Sequence, residues 1–596
     1  MTDEKTHYNY NTGGMFLLNP IGTTDVFSRE NFTEEQSEIE KMTLDFAMER
    51  IYPNVEAIDK LDKDLSHSLL KEMGELGLLG VDVPEKYGGM ELDKITMALV
   101  IENLTRGGSA SLGTMINVQT SIGSLGIVWF GTPKQKEKYI PKLVTGEWIA
   151  AYGLTEPSAG SDAVSGKTKA VLSDDGKHYI LNGEKCFISN GDWADVYTVL
   201  AQVDGNKFTA FIVDRDTEGF ETGAEEKKMG MKGNSTTTLK FTNTKIPSEN
   251  LLYEVGKGAA IAFNALNIGR FKLAAACLGG AKSVINQTLN YANERRQFGQ
   301  AITNFDAIKS KIADMIIKTY AADSMIYRTI GLIQEAIDKL DSSADDYYIK
   351  MGNAMEKYAI EASMTKVFGS EVSGQVIDHA LQILGGYGFI EEYRIAGAYR
   401  DDRINRIWEG TNEINRMIIS GYMIKKILME EIPFREEIAK TNSILDNGIP
   451  DWDSPYIDEA LVVESAKRLA MELLHEALCE FGQDLKHEQM LTELIADILI
   501  DIFTTESTLV RVCNNQDSAT HFDIIDAIAK VQTAEMSTRV ISRSLTGFNR
   551  VFSGNIPENM KNKIDVLQNK MDLSMDVIFQ KRHIAESVSQ INSYPF

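Results

Sequence analysis

Proline is scarce in this chain, 12 residues in 596, and cysteine scarcer still at four. With so few helix breakers, long stretches rich in Ala, Leu, Ile, Met, Glu and Lys run uninterrupted, the usage of a mainly helical protein. Cys186, Cys277, Cys479 and Cys513 are far apart and form no C-x-x-C pair, which excludes a disulfide framework or thiolate metal site and fits a reducing compartment. The eight histidines are dispersed and none stands in an H-E-x-x-H pattern, so no metal is expected. Positive charge is also short: 61 Lys and Arg face 86 Asp and Glu, a net charge of −25. Such a balance repels phosphate backbones and anionic lipids, leaving no nucleic-acid partner and at most peripheral membrane contact. The opening MTDEKTHYNYN lacks the basic start and apolar run of a signal peptide, and no apolar stretch reaches the roughly 18 to 20 residues of a membrane span. The expectation is a cytoplasmic protein.

The chain is too long for one hydrophobic core. Residues 1–31 read as a tail. Residues 32–150 show apolar residues at helical spacing, broken at Pro84, Gly88-Gly89, Gly107-Gly108 and Gly131-Thr132-Pro133. Short apolar alternation between tight-turn signals then takes over (AVLS-DDG-KHYILNG, VYTVLAQV-DG-NKFTAFIV, TTTLKFTNTKIP), placing a β domain at 151–255. Helical periodicity resumes through 256–430 and again through 431–596, with an irregular stretch at about 440–457 as the boundary. The fold class is mainly α with an inserted β domain. The last segment reads as a degenerate repeat of an earlier one, the alternative being chance agreement between amphipathic helices: 311-KIADMIIKTYAADSMIYR aligns with 494-LIADILIDIFTTESTLVR at six identities in eighteen, and 364-MTKVFGSEVSGQVI with 528-IAKVQTAEMSTRVI at six more. In the second copy the helix at 489–513 carries a stripe, Leu491, Leu494, Ile495, Ile498, Ile502 and Phe503, that reads as core or as a docking face for a membrane or partner.

Four groups of residues carry chemistry. Tyr152-Gly-Leu-Thr-Glu-Pro-Ser-Ala-Gly-Ser-Asp162 lies where helical sequence gives way to β, its small residues leaving backbone open to a ligand, and Lys185-Cys-Phe-Ile-Ser-Asn-Gly191 follows on a strand. Leu266-Asn-Ile-Gly-Arg-Phe271 and Glu294-Arg-Arg-Gln-Phe-Gly299 offer guanidinium groups suited to phosphate. Gln382-Ile-Leu-Gly-Gly-Tyr-Gly-Phe389 precedes Arg400-Asp-Asp-Arg403 and Ile407-Trp-Glu-Gly-Thr-Asn-Glu413. In isolation, Glu409 would as well be a polar helix cap, Phe187 a core strand residue, and Arg270 or Arg295 a solvated side chain.

Together these motifs resemble the acyl-CoA dehydrogenase family over residues 30 to 425, and the remaining residues resemble the helical extension of its very-long-chain branch. The resemblance implies an N-terminal helical domain, a middle β-barrel-like domain, a C-terminal four-helix bundle and an extra C-terminal helical domain. It implies FAD as cofactor, held by Tyr152, Leu154, Thr155, Ser161, Phe187, Ser189, Arg295, Phe298, Gln382, Gly385, Gly386, Thr411 and Glu413, with Arg295 reaching the FAD of a neighbouring subunit in a homodimer. Many relatives carry Trp at the position of Phe187, and Gln at that of Asp306. Glu409 takes the place of the catalytic base; other branches carry the base at the position of Gly269, so Glu409 has no competitor. Ser161, Asn267, Arg270 and Gly410 would contact the acyl-CoA substrate, and Gly123 and Gly126 would deepen the floor of its pocket. The implied activity is α,β-dehydrogenation of fatty acyl-CoA to trans-2-enoyl-CoA in fatty acid β-oxidation, on long chains, with electrons passed to electron-transferring flavoprotein. An acyl-CoA oxidase, or a flavin-bearing scaffold for assembly, is the alternative.

Overall fold

Residues 12–23, 26–447 and 454–596 are described by the structure, a computed structural model. The opening MTDEKTHYNYN and residues 448–453 of the expected boundary lie outside the described residues.

Helices start where the sequence supplies caps. In the N-terminal domain Thr33 and Thr132 close capping boxes with Gln36 and Gln135, opening α1 (Glu34–Phe46) and α4 (Pro133–Val144). Asp93 and Ser109 cap α2 (Lys94–Thr105) and α3 (Ala110–Gln119). Nearly every residue of α2 is buried, because it runs between α1 and the bundle that follows.

The alternating segment forms one sheet from β1 (Ala150–Gly153), β2 (Lys169–Leu172), β3 (His178–Ser189), β4 (Val196–Val203), β5 (Lys207–Asp214), β6 (Phe220–Thr222), β7 (Thr236–Pro247) and β8 (Leu251–Leu252). The order is β6-β7-β3-β2-β4-β5-β8, with β1 parallel to β4. The β3–β7 ladder slips between Lys185 and Ile188. At that bulge Phe187 takes φ 58° and turns outward, 67% exposed.

The chain then enters a bundle of α5 (Gly258–Glu294), α6 (Asp306–Asp338), α7 (Ala359–Leu384) and α8 (Asn412–Leu428), with α7 packed on the other three. Among the described residues α5 is long and apolar enough to cross a membrane, a feature not expected from the sequence; it is mostly buried as the spine of this bundle. The helix α9 (Phe434–Asn447) continues through the first half of the stretch expected to be irregular. The extension follows with α10 (Ile457–Phe481), α11 (Gln489–Asn514), α12 (Phe522–Val551) and α13 (Val577–Ile591).

The repeat is visible as reciprocal contacts. Arg328 of α6 donates to Glu506 (2.9 Å) and Ser507 (3.1 Å) of α11, while Arg511, at the equivalent position of α11, donates to Asp323 (3.0 Å) and Ser324 (3.2 Å) of α6. Each guanidinium also lies over a ring of the other copy, Arg328 over Phe503 and Arg511 over Tyr320. Every partner in one set aligns with its counterpart in the other, so the two copies meet about an approximate two-fold axis. The Leu491–Phe503 stripe is buried apart from a partly exposed Leu494, which makes it core rather than a docking face.

Residues 12–23 and 26–31 are not a tail. Met15, Phe16, Leu17, Leu18 and Ile21 are buried, since an apolar run that can reach a groove between two helical bodies gains more by filling it than by staying in water. Glu361 of the bundle accepts from Gly14 N (2.7 Å), and in the extension Glu464 accepts from Ile21 N (2.8 Å) while Lys467 donates to Asn19 O (2.9 Å).

Candidate active site

Glu409 sits between a short turn (Arg403–Arg406) and α8, whose N-cap Thr411 accepts from Ile414 N. Glu409 and Gly410 both have left-handed backbone, φ 56° and 81°, a conformation that costs a non-glycine residue about 1–3 kcal/mol unless its surroundings hold it. The turn sends the carboxyl against α5. There a Cβ added to Gly269 would lie 2.5 Å from Glu409 Oε2, so only glycine leaves room for the acid. The two positions at which a base was expected from the resemblance thus converge on one point in space.

Burial pushes Glu409 up to about 7, against the pull of Arg270, Lys366 and Lys272, which favour its ionised form. Its Oε2 is shut away from solvent with no hydrogen-bond partner, and so are Tyr152 OH, Trp408 Nε1 and Arg270 Nε. Unsatisfied groups of this kind cost about 1–3 kcal/mol each, and their gathering marks a place where a polar ligand completes the bonding. Tyr152 projects from β1, its hydroxyl pushed up by burial and by Glu409. Arg270 Nη1 donates to Asn267 Oδ1 at 2.8 Å, and burial lowers its guanidinium from the ordinary value.

The loop after β1 is stitched to β3. Cys186 N donates to Thr155 O (2.9 Å), and Lys185 Nζ donates to Leu154 O (3.0 Å) and to Glu156 Oε1 (2.7 Å). Glu156 also accepts from Thr168 N. Tyr152, Leu154, Thr155, Phe187 and Ser189 therefore share one wall, with Ser161 exposed farther along the loop and Thr411 and Glu413 on the Glu409 side.

Arg295, Gly385 and Gly386 line a separate cavity of about 380 Å³ with Tyr291, Gln297 and Tyr387. A Cβ at Gly385 or Gly386 would meet nothing within 4 Å, so the backbone there is open to a ligand. Gln382 is exposed on the preceding turn, and Phe298, at φ 50°, is 93% exposed. No residue lining this cavity belongs to the Glu409 group. A flat ring with a polar edge suits the first wall and a pyrophosphate suits the second, so the residues present fit FAD.

A Cβ at Gly123 would press on Ala150 Cβ (2.8 Å) and one at Gly126 would lie 3.2 Å from Ile261, so both glycines pack closely against β1 and α5. Asp306 is bound from within the chain: Arg582 of α13 grips it with two bonds, 2.6 and 3.1 Å. Sequence reasoning missed Lys366 and Asn415, which hold the Glu409 turn from behind, and Lys272, buried beside Thr120 and pushed down to about 7 by desolvation.

Comparison with known proteins agrees with this geometry. Residues 33–147, 151–244 and 256–423 match the family profiles for the N-terminal, middle and C-terminal domains of acyl-CoA dehydrogenase, and residues 465–555 match a further profile also described as a C-terminal domain. A probable acyl-CoA dehydrogenase of Bacillus subtilis is 44% identical over 501 residues, 84% of each chain. The human very long-chain specific acyl-CoA dehydrogenase, mitochondrial, is 41% identical over 355 residues, 58% of this chain and 51% of that protein. The crystal structure of an acyl-CoA dehydrogenase complexed with FAD from Bacillus anthracis superposes with a TM-score of 0.94 at 40% identity, covering 98% of this chain and all of that one. With its domains matched in order and a relative of this identity spanned for most of its length, the chain belongs to the FAD-dependent acyl-CoA dehydrogenase family.

Proposed function

We propose that the protein removes the α and β hydrogens of long-chain fatty acyl-CoA, giving the trans-2-enoyl-CoA, and passes the electrons to electron-transferring flavoprotein. The observation that carries this reading is Glu409: a carboxyl pushed up to about 7, with a buried oxygen lacking any partner, beside other unsatisfied polar groups. An α proton of a thioester is weakly acidic and requires a base poised near neutrality. Glu409 takes that proton. The backbone N–H of Glu409 donates to the thioester oxygen as charge builds there, and Arg270, Asn267 and Gly410 border the bound thioester. FAD, when bound, supplies the acceptor for the β hydride, chemistry no side chain provides. Tyr152, Leu154, Thr155, Ser161, Phe187, Ser189, Thr411 and Glu413 would wall its ring, with the outward Phe187 at the side where a redox partner docks. Arg295, Phe298, Gln382, Gly385 and Gly386 would hold the pyrophosphate of a second copy in a homodimer; their separation from the Glu409 group supports this. Likeness to very-long-chain relatives supports the long-chain preference.

The test is anaerobic addition of palmitoyl-CoA or octanoyl-CoA to the FAD-loaded protein while following the oxidised flavin band. Wild type should bleach, faster with palmitoyl-CoA, and Glu409→Gln should not. A wild-type protein that holds FAD and bleaches with neither thioester would overturn the reading.

A further inference from the structure

Behind the base turn, a network of side chains joins it to the extension. Lys366 of α7, buried, donates from Nζ to Gly410 O and to Asn412 Oδ1, both at 2.7 Å. Asn415 of α8 donates to Gly410 O (2.8 Å) and Thr411 O (3.1 Å). Asn412 is held in turn, its Nδ2 donating to Glu371 Oε1 at 3.0 Å and to Ser370 Oγ at 3.1 Å. Glu371 pairs with Arg416 (2.8 Å), and Arg416 pairs at 2.8 Å with Asp497, which belongs to α11 of the extension. Asp497 faces Arg543 of α12 as well.

We propose that Lys366 is the positioning residue of the catalytic turn, and that the extension helps to hold it there through Asp497, Arg416, Glu371 and Asn412. The inference rests on Glu409 being the base. Its physical ground is the left-handed pair at Glu409 and Gly410: a turn that the backbone disfavours persists where the surroundings over-determine it, and the Gly410 carbonyl receives two donors. A charged donor to a carbonyl is among the stronger hydrogen bonds. Lys366, whose amine burial pushes down to about 8, also places a cation near the Glu409 carboxyl below that pH, and the carboxyl is faced by Arg270 and Lys272 from α5 and by Tyr152 from β1. The extension thereby contributes to the chemistry from behind.

The experiment measures flavin bleaching by palmitoyl-CoA at saturation from pH 5.5 to 9 on FAD-loaded wild type, Lys366→Met, Lys366→Arg and Asp497→Asn. Lys366→Met should bleach about 30-fold or more slowly, with substrate affinity and FAD content close to wild type. Its pH midpoint should move up, since a cation that favours the ionised base is gone. Lys366→Arg should restore much of the rate. Asp497→Asn should slow bleaching about 3- to 10-fold with little change in the pH midpoint, because it leaves Lys366 in place. A Lys366→Met protein with wild-type rate and midpoint overturns the clamp, and an Asp497→Asn protein with wild-type rate overturns the link to the extension. If Lys366→Met loses FAD, Asn415→Ala decides: it keeps the cation, so a slower rate at an unchanged midpoint supports the clamp and an unchanged rate overturns it. A wild type that fails to bleach overturns instead the proposed function.

Discussion

Replacing Gly269 by alanine asks directly whether the base position is set by the space α5 leaves open. The added Cβ would stand 2.5, 2.7 and 2.8 Å from Glu409 Oε2, Cδ and Oε1. Ordinary carbon contacts begin near 3.5 Å, so the carboxyl must retreat by about 1 Å. A misplacement of that size at a reacting group costs roughly 100-fold in rate, about 2.7 kcal/mol of barrier. Stability should not fall, because the clash is with the end of a side chain and alanine favours a helix over glycine. Gly280 is the internal control: it lies on the same helix and its Cβ would meet nothing within 4 Å. Gly280→Ala should keep the wild-type rate and add about 0.5–1 kcal/mol of stability. The assay is stopped-flow bleaching of the flavin by palmitoyl-CoA in a single turnover, with thermal melting alongside. A Gly269→Ala protein within about threefold of wild type would refute the reasoning, since the base would then tolerate displacement.

Two further outcomes follow from buried charge. Asp323 accepts from Lys282 (2.6 Å) and Arg511 (3.0 Å) and lies 3.2 Å from Arg29, which hold its carboxyl well below the usual carboxylate range. Asp323→Asn should cost about 3–5 kcal/mol in urea unfolding, because it leaves buried cations short of an anion. A depressed carboxylate contributes stability above its unfolded value near 3.9 and loses it as pH falls, so wild-type stability should drop below about pH 4 while the variant's changes less there. Lys185→Met should weaken FAD retention about tenfold by freeing Leu154 O and Glu156, yet leave the rate near wild type once FAD is saturating; equal FAD affinity in equilibrium dialysis would refute that role.

Much of the site was legible because its residues fall in short runs. The loop from Tyr152 to Asp162, the strand through Ser189 and the turn around Glu409 each concentrate their contacts within a few positions, and the structure groups them as the runs suggest. What escaped notice works across distance in the chain: Lys366 and Gly410 are 44 positions apart, with no periodicity that would pair them. Gly123 and Gly126 are ambiguous for a different reason. Glycine marks close approach as readily as open space, and from sequence alone the two look identical. The Met15-Phe-Leu-Leu18 run is a usable signal against a tail, four apolar residues in a polar setting.

The crossed handshake between α6 and α11 bears on how this chain could have changed over time. Had each copy satisfied its own charges, either could have drifted alone. Instead Arg328 answers to Glu506 and Arg511 to Asp323, so a loss in one copy takes a charge partner from the other. A change at any of these four positions is felt by a partner encoded nearly two hundred codons away. The seam joins the two copies at aligned positions, and it is there that a repeat with so few identities still reads as one.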